Sequence, residues 1–251
     1  MKVYLINYTK DAKELLIFSK KTRLKMNVNS FEDIKNMSEE EKNKEIDYVF
    51  GTIGSSWEFI DYTFLIEGVT RAFTHQLVRH RVGVSFAQQA QRVVNMSDFE
   101  YISTGNIKNN EKFFEIYKDG MDMINKYYEI LIRKGAHPQD ARGILPTNIT
   151  TNILMKINLR SLSSMLNTRL CIKAQDEFQD VARELRKKTL EIHPWTKKIL
   201  QVHCVQHGNC AFPNYEDCPI KKKNLIKNFD RKKILNVWES KRSEYQPKED
   251  K

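Results

Sequence analysis

Arg79-His80-Arg81-Val82-Gly83-Val84-Ser85-Phe86-Ala87-Gln88-Gln89-Ala90-Gln91-Arg92 is the segment around which the rest of the chain arranges itself. Three basic or titratable side chains stand side by side, and Arg92 follows eleven residues after Arg81 with no acid anywhere between Glu67 and Asp98. Guanidinium groups at that density repel one another unless an anion holds them, so a phosphate-bearing ligand is the natural partner. A helix end with solvated arginines is the plainer alternative. Gln88, Gln89 and Gln91 add amide groups that could bond a base or a phosphate, or simply face water.

The bulk composition narrows the class. The 251 residues suit one large domain or one domain with an extension, and 40% hydrophobic with 29% charged residues describes a folded chain rather than a disordered one. No apolar run approaches the roughly 18 residues a membrane span needs. The opening Met1-Lys2-Val3-Tyr4-Leu5-Ile6 is too short for a signal peptide, so a cytoplasmic location is expected. The net charge of +10 favours anionic partners in general: nucleotides, folates, flavins or nucleic acid. Much of the lysine lies in residues 221–251, which read as a solvated, partly disordered tail. Cys204, His207, Cys210 and Cys218 are spaced so that a structural zinc could be assembled, although no CxxC pair is present; reduced thiols in a loop are the other reading.

Outward from the basic segment, periodicity predicts a short strand over Val3 to Asn7 and an amphipathic helix from Asp11 to Lys25. Ser38 followed by three glutamates predicts an N-cap and a helix to about Phe50. Residues 51–56 form a turn-rich break. Tyr62 to Ile66 reads as a strand that becomes helical, with Val69, Phe73 and Leu77 on one face. Glu111 to Lys134 is a long helix carrying Phe114, Ile116, Tyr117, Met121, Ile124, Tyr128 and Leu131 at helical spacing. A short helix or turn starts at Pro138 and stops at Pro146. Asn148 to Ile157 suits helix or strand, and Ser161 to Thr189 is helical with a break near Cys171. The economical division is a helix-rich α+β domain with a small sheet over residues 1–200, followed by a Cys/His- and Lys-rich extension over 201–251.

Several blocks, taken in order, resemble the flavin-dependent thymidylate synthase family. They are the Tyr62–Arg71 and Thr74–Val78 lead-in, Arg79-His80-Arg81 with its following Gln-x-Arg, Ala141-Arg142-Gly143-Ile144-Leu145-Pro146, and Asn158-Leu159-Arg160-Ser161-Leu162 with Arg169-Leu170 and Ala174-Gln175-Asp176-Glu177. The resemblance implies a homotetramer that binds FAD between subunits. It also implies reductive methylation of dUMP to dTMP, with methylenetetrahydrofolate as one-carbon donor and NADPH as reductant. By motif match, Ser55, Glu58, Arg79, His80, Arg81, Asn158 and Arg160 would lie near FAD. Gln76, Gln88, Gln89, Ala90, Arg92 and Arg142 would surround the nucleotide, and Arg169 would face the uracil ring as the catalytic group. Nucleotide and folate substrates, and neither membrane nor nucleic acid, are the implied partners.

The chain departs from the family pattern at specific places. Gln89, or Ala90 if one inserted residue is allowed, stands where the family has a serine, and an alanine offers no nucleophile. A flavin-driven route needs none. Ile53 and Phe59 replace histidines, Val93 a tyrosine and Lys173 a histidine. These changes leave open a related hydroxymethylase or methylase acting on dUMP or dCMP. The basic charge leaves a nucleic-acid-binding protein as a reading from a different class.

Overall fold

The computed structural model describes residues 1–24, 31–226 and 229–240. Lys25 and residues 241–251 of the basic tail lie outside the described residues. The chain begins with strand β1 (Lys2–Tyr8), followed by helices α1 (Ala12–Leu24), α2 (Phe31–Lys35) and α3 (Glu39–Phe50). Ser38 caps α3 in a complete capping box: its hydroxyl accepts from the Glu41 N–H, and the Glu41 carboxylate accepts from the Ser38 N–H at 2.9 Å. A 3-10 turn (Gly54–Phe59) leads into β2 (Asp61–Thr70), then α4 (Arg71–Leu77) and β3 (Val84–Gln88). Next come α5 (Gly105–Lys108), α6 (Glu111–Arg133), α7 (Pro138–Ala141) and β4 (Thr150–Asn158). The remainder is helical: α8 (Leu159–Arg169), α9 (Asp176–Ile192), α10 (His203–His207), α11 (Pro219–Lys222) and α12 (Arg231–Ser240).

The four strands form one antiparallel sheet in the order β1-β2-β4-β3. The alternation of side chains makes the two faces unlike. On one face Leu5, Phe64, Met155 and Phe86 lie in register, and Phe64 and Met155 are fully buried under the helices. On the other, Tyr4, Leu65, Leu154 and Ala87 form a matching row, of which Tyr4 and Leu154 remain exposed. The main core joins this sheet to α8 and α9 through Leu162, Leu166, Phe178, Val181 and Leu185. A second, smaller cluster gathers Met96, Phe99, Met121, Tyr128 and Ile149 beneath α6.

Two expectations, for Val69 and for the tail, are revised, and two further readings are resolved. Val69 belongs to β2, not to a helical face: Gly68, at φ +62°, accompanies a register shift between Ile66 and Val69, and α4 starts only after Thr70. Asn148 to Ile157, open between two readings, is strand from Thr150 onward, as its β-branched threonines and isoleucines favour. On α6, Met121 and Tyr128 are buried while Phe114, Ile116 and Leu131 face outward, because the helix covers only a small cluster. In the stretch expected to be a solvated tail, residues 231–240 form α12. Its Ile234 and Trp238 are buried in the main core, and the Trp238 indole donates to the Leu170 carbonyl at 2.7 Å.

One buried polar contact ties the sheet to the end of α9. The Tyr62 hydroxyl and His193 Nδ1 lie 2.9 Å apart. Burial pushes the His193 imidazole down to about 4, against a smaller upward pull from Glu14, so the folded protein holds it neutral. Between its ordinary value of 6.5 and about 4, the unfolded chain binds a proton that the folded chain refuses. This contribution to stability is therefore complete above pH 6.5 and is lost as pH falls towards 4. Thermal unfolding midpoints measured across that range should fall more steeply for the wild type than for His193→Asn. Parallel slopes would contradict the assignment.

Candidate active site

The basic segment begins at the C-terminal end of α4, so the placement of that helix comes first. Thr70 caps it, its hydroxyl accepting from the Phe73 N–H at 3.0 Å. Glu177, on the first turn of α9, grips the same residue twice: its carboxylate accepts from the Thr70 N–H at 2.7 Å and from the Thr70 hydroxyl at 2.5 Å. Phe73 and Phe178 then meet edge to face at 4.8 Å between ring centroids. These contacts fix the face of α4 that carries Gln76 and the turn that carries His80.

Beyond α4 the turn is stapled to the start of α8. Asn158 caps α8 by accepting from the Ser161 N–H at 2.8 Å, and its own N–H donates to the Gly83 carbonyl at 3.0 Å. The Ser161 hydroxyl donates to the Val82 carbonyl at 2.6 Å. Gly83 sits at φ +65°, where a Cβ would lie 2.1 Å from Asn158 Nδ2. Only glycine fits, both for its backbone conformation and for the closeness of the cap. Asn158, expected near the flavin, thus spends its side-chain oxygen on capping α8 and its backbone N–H on holding the loop.

The centre of the site is Arg169, the last residue of α8. Its guanidinium lies 4.4 Å over the Phe178 ring, its Nε donates to His80 Nε2 at 3.4 Å, and its Nη1 donates to Gln76 Oε1 at 3.5 Å. Burial lowers the His80 pKa, and the adjacent Arg169 charge lowers it further, so a neutral imidazole accepts from the guanidinium. Gln76 in turn bonds Gln175. Arg169, Gln76 and Gln175 line a cleft of about 410 Å³ together with Thr168, Lys173 and Phe212. Three residues assigned by motif to two different ligands, Gln76 and Arg169 to the nucleotide and His80 to the flavin, therefore meet in one place.

A second cationic locus lies at the other end of α4. The Arg71 Nη2 donates to the Gln89 carbonyl at 2.5 Å, its buried Nε finds no hydrogen-bond partner, and the nearby Arg142 charge lowers its pKa after burial does. Arg142 itself donates to the Gln139 carbonyl at 3.2 Å. The Arg71 Nε–H is thus a buried donor without an acceptor, within electrostatic reach of a second guanidinium. The sequence reading did not single out Arg71 as a site residue; its signal was the acid-free run from 68 to 97, in which it is the first arginine. Lys173, Gln175 and Phe212 are likewise additions, and Phe212 comes from the extension.

The remaining candidates are spread out. Among the described residues Arg79, Arg81 and Arg92 pair with no carboxylate, and all three are exposed. Glu58 and Arg160 pair at 2.5 Å beside the exposed Ser55. Gln88 turns back to Thr74 at 3.0 Å and Thr151 at 3.4 Å, while Gln89 engages Arg71 by its backbone and Ala90 is exposed. Of the zinc candidates Cys204, His207, Cys210 and Cys218, His207 instead pairs with Asn167 Oδ1 at 3.0 Å. Among the described residues no three His, Cys, Asp or Glu side chains are grouped closely enough to hold a single metal ion.

The chain is similar to known proteins along most of its length. A family model described as thymidylate synthase complementing protein matches residues 4–195. A flavin-dependent thymidylate synthase of Pyrococcus furiosus is 34% identical over 224 residues, covering 84% of this chain and 89% of that protein. The protein of the same name from Sulfolobus acidocaldarius is 33% identical, covering 83% and 80%. The one from Clostridium tetani is 31% identical, covering 84% and 90%.

Replacing Gly83 by alanine adds a left-handed penalty of about 1–2 kcal/mol to a steric conflict with the Asn158 cap. The expected outcome is a clearly lowered thermal midpoint for Gly83→Ala and a weaker hold on any ligand of the basic turn. A midpoint equal to wild type would show that the staple is not under constraint.

Proposed function

The chain belongs to the flavin-dependent thymidylate synthase family, and from that premise we propose that it converts dUMP to dTMP with FAD, NADPH and methylenetetrahydrofolate, as a homotetramer. The observation that carries the reading is that Arg169, held by His80 and Gln76, lines one cleft with Gln76. Its volume of about 410 Å³ is in the range of small-molecule sites.

The residues fit an anionic dinucleotide and a nucleotide monophosphate. Arg79 and Arg81 lack carboxylate partners among the described residues, and Arg71 keeps a buried N–H unbonded. Both features suit phosphate oxygens, which accept charge-assisted hydrogen bonds. Arg71 and Arg142 would take the nucleotide phosphate. Arg79 and Arg81, with the Glu58–Arg160 pair at the start of α8, would take the cofactor. When bound, FAD supplies the hydride chemistry.

Arg169 then has a defined task. Making C5 of uracil nucleophilic drives negative charge onto the ring's carbonyl oxygens and N3. A guanidinium keeps its charge even when burial lowers its pKa, and it presents paired donors to that charge. His80 and Gln76 take one donor each and so fix the plane of the group, leaving the other N–H groups for the ligand. No protein nucleophile is required, which agrees with Gln89 and Ala90 at the segment's end.

The tetramer is supported by apolar surface with no cover within one chain. Phe113, Ile116, Met123 and Tyr127 recur at helical spacing on α6 and are 48%, 73%, 56% and 54% exposed. Surface of that kind marks an association face. Light scattering of the purified chain should give a tetramer's mass.

Two measurements test the activity. Incubation with dUMP, methylenetetrahydrofolate, FAD and NADPH should yield dTMP by mass, and dCMP should be unchanged; a hydroxymethylated product or turnover of dCMP would reject this reading in favour of a variant outcome. Arg169→Ala should lower kcat/KM by about 10²–10³-fold, the cost of removing one transition-state donor, while the flavin stays bound.

A further inference from the structure

The four cysteines of the chain are scattered in sequence and gathered in space. Cys171 leaves the end of α8, Cys204 lies on α10, Cys210 on the loop that follows, and Cys218 immediately before α11. All four line one cavity of about 20 Å³, walled by Val202, Ile220 and Trp238 among other apolar groups. Cys204 and Cys218 are only 8% and 6% exposed. The thiols lie within electrostatic reach of one another: burial pushes Cys204 up to about 12, and Cys171, Cys218 and Cys210 each add to the rise. Burial likewise pushes Cys171 up to about 11, with Cys218 and Cys210 contributing.

Buried thiols that simply fill a core need no donors. Here backbone N–H groups are aimed at sulfur two residues on. The Phe212 N–H donates to Cys210 Sγ at 3.4 Å, the Lys173 N–H faces Cys171, and the Ile220 and Lys221 N–H groups face Cys218. An N–H directed at sulfur favours the thiolate over the thiol. The same turn geometry recurs at three of the four cysteines.

A single tetrahedral zinc sits about 2.3 Å from each thiolate and leaves no void among them. Among the described residues no three His, Cys, Asp or Glu side chains are grouped for one ion, and the four thiols instead surround a cavity of about 20 Å³. A polynuclear group spans such a gap. We propose that Cys171, Cys204, Cys210 and Cys218 ligate an iron–sulfur cluster, a Cys₄ centre that pins the extension to the α8–α9 junction. It replaces the zinc set expected from spacing, with Cys171 taking the place of His207. The cluster would also fix the Cys210–Cys218 loop, whose Phe212 and Tyr215 rings stand 5.5 and 5.1 Å from Lys173 Nζ at the edge of the cleft.

The test is iron, acid-labile sulfide and zinc analysis of the full chain purified without oxygen. Iron and sulfide in equal amounts, about two to four of each per chain, are expected. Cys171→Ser and Cys218→Ser should lose both, and His207→Asn should keep them. One zinc per chain without iron or sulfide, or a chain free of all three, overturns the cluster. Full iron and sulfide in Cys171→Ser overturns the ligand set. Should the cysteine variants fail to fold, the wild-type composition and the His207→Asn result still decide. None of these readouts depends on nucleotide turnover.

Discussion

The contact between the Val82-Gly83 turn and the start of α8 is the constraint on which the site depends. Asn158 and Ser161 bond the turn from one side, and the turn's left-handed glycine brings its backbone against the cap from the other. Because α8 also ends in Arg169, one rigid helix ties the basic turn at its first residues to the central guanidinium at its last. Eleven helical residues span about 16 Å at 1.5 Å per residue, so the loop and the cleft keep a fixed separation.

That arrangement stabilises an electrostatic conflict. Burial and then the Arg142 charge lower the Arg71 pKa, and burial and then the Arg169 charge lower that of His80, with no carboxylate paired to any of them among the described residues. Folding alone would not favour such groupings. They persist because Glu177, Phe178 and the sheet hold α4 from behind. Stability elsewhere in the core offsets that repulsion.

The C-terminal extension takes part in this scaffold. Val205, Ile220, Ile234 and Trp238 are buried in the same cluster as the sheet residues, and Trp238 closes the end of α8 through the Leu170 carbonyl. Asn167, one turn earlier, bonds Gln201, Gln206 and His207. The extension thus braces the helix that carries Arg169 and lends Phe212 to the cleft. A four-thiolate centre at the α8–α9 junction would strengthen the same brace.

What the residues decided locally was legible from the chain alone. The Ser38 capping box, the long α6, the strand at Val3 and the identity of the basic segment follow from side chains that act within a few positions of themselves. The ordered motifs also named Gln76, His80 and Arg169. What stayed hidden depended on partners distant in sequence. Val69 read as helical because Gly68 redirects the chain only in the context of the paired strands. Phe114 and Ile116 share the helical spacing of Met121 and Tyr128, yet only the latter two are buried, because periodicity cannot say how much surface lies beneath a helix. Cys171 stood apart from the other cysteines by more than thirty positions, yet the fold brings it to their cavity. Arg71 acquires meaning only beside Arg142. Sequence determined the chemistry available and most of the local backbone, since both arise from neighbouring atoms; the tertiary structure alone decided which groups meet, since burial and Coulomb energy depend on distance in space rather than along the chain.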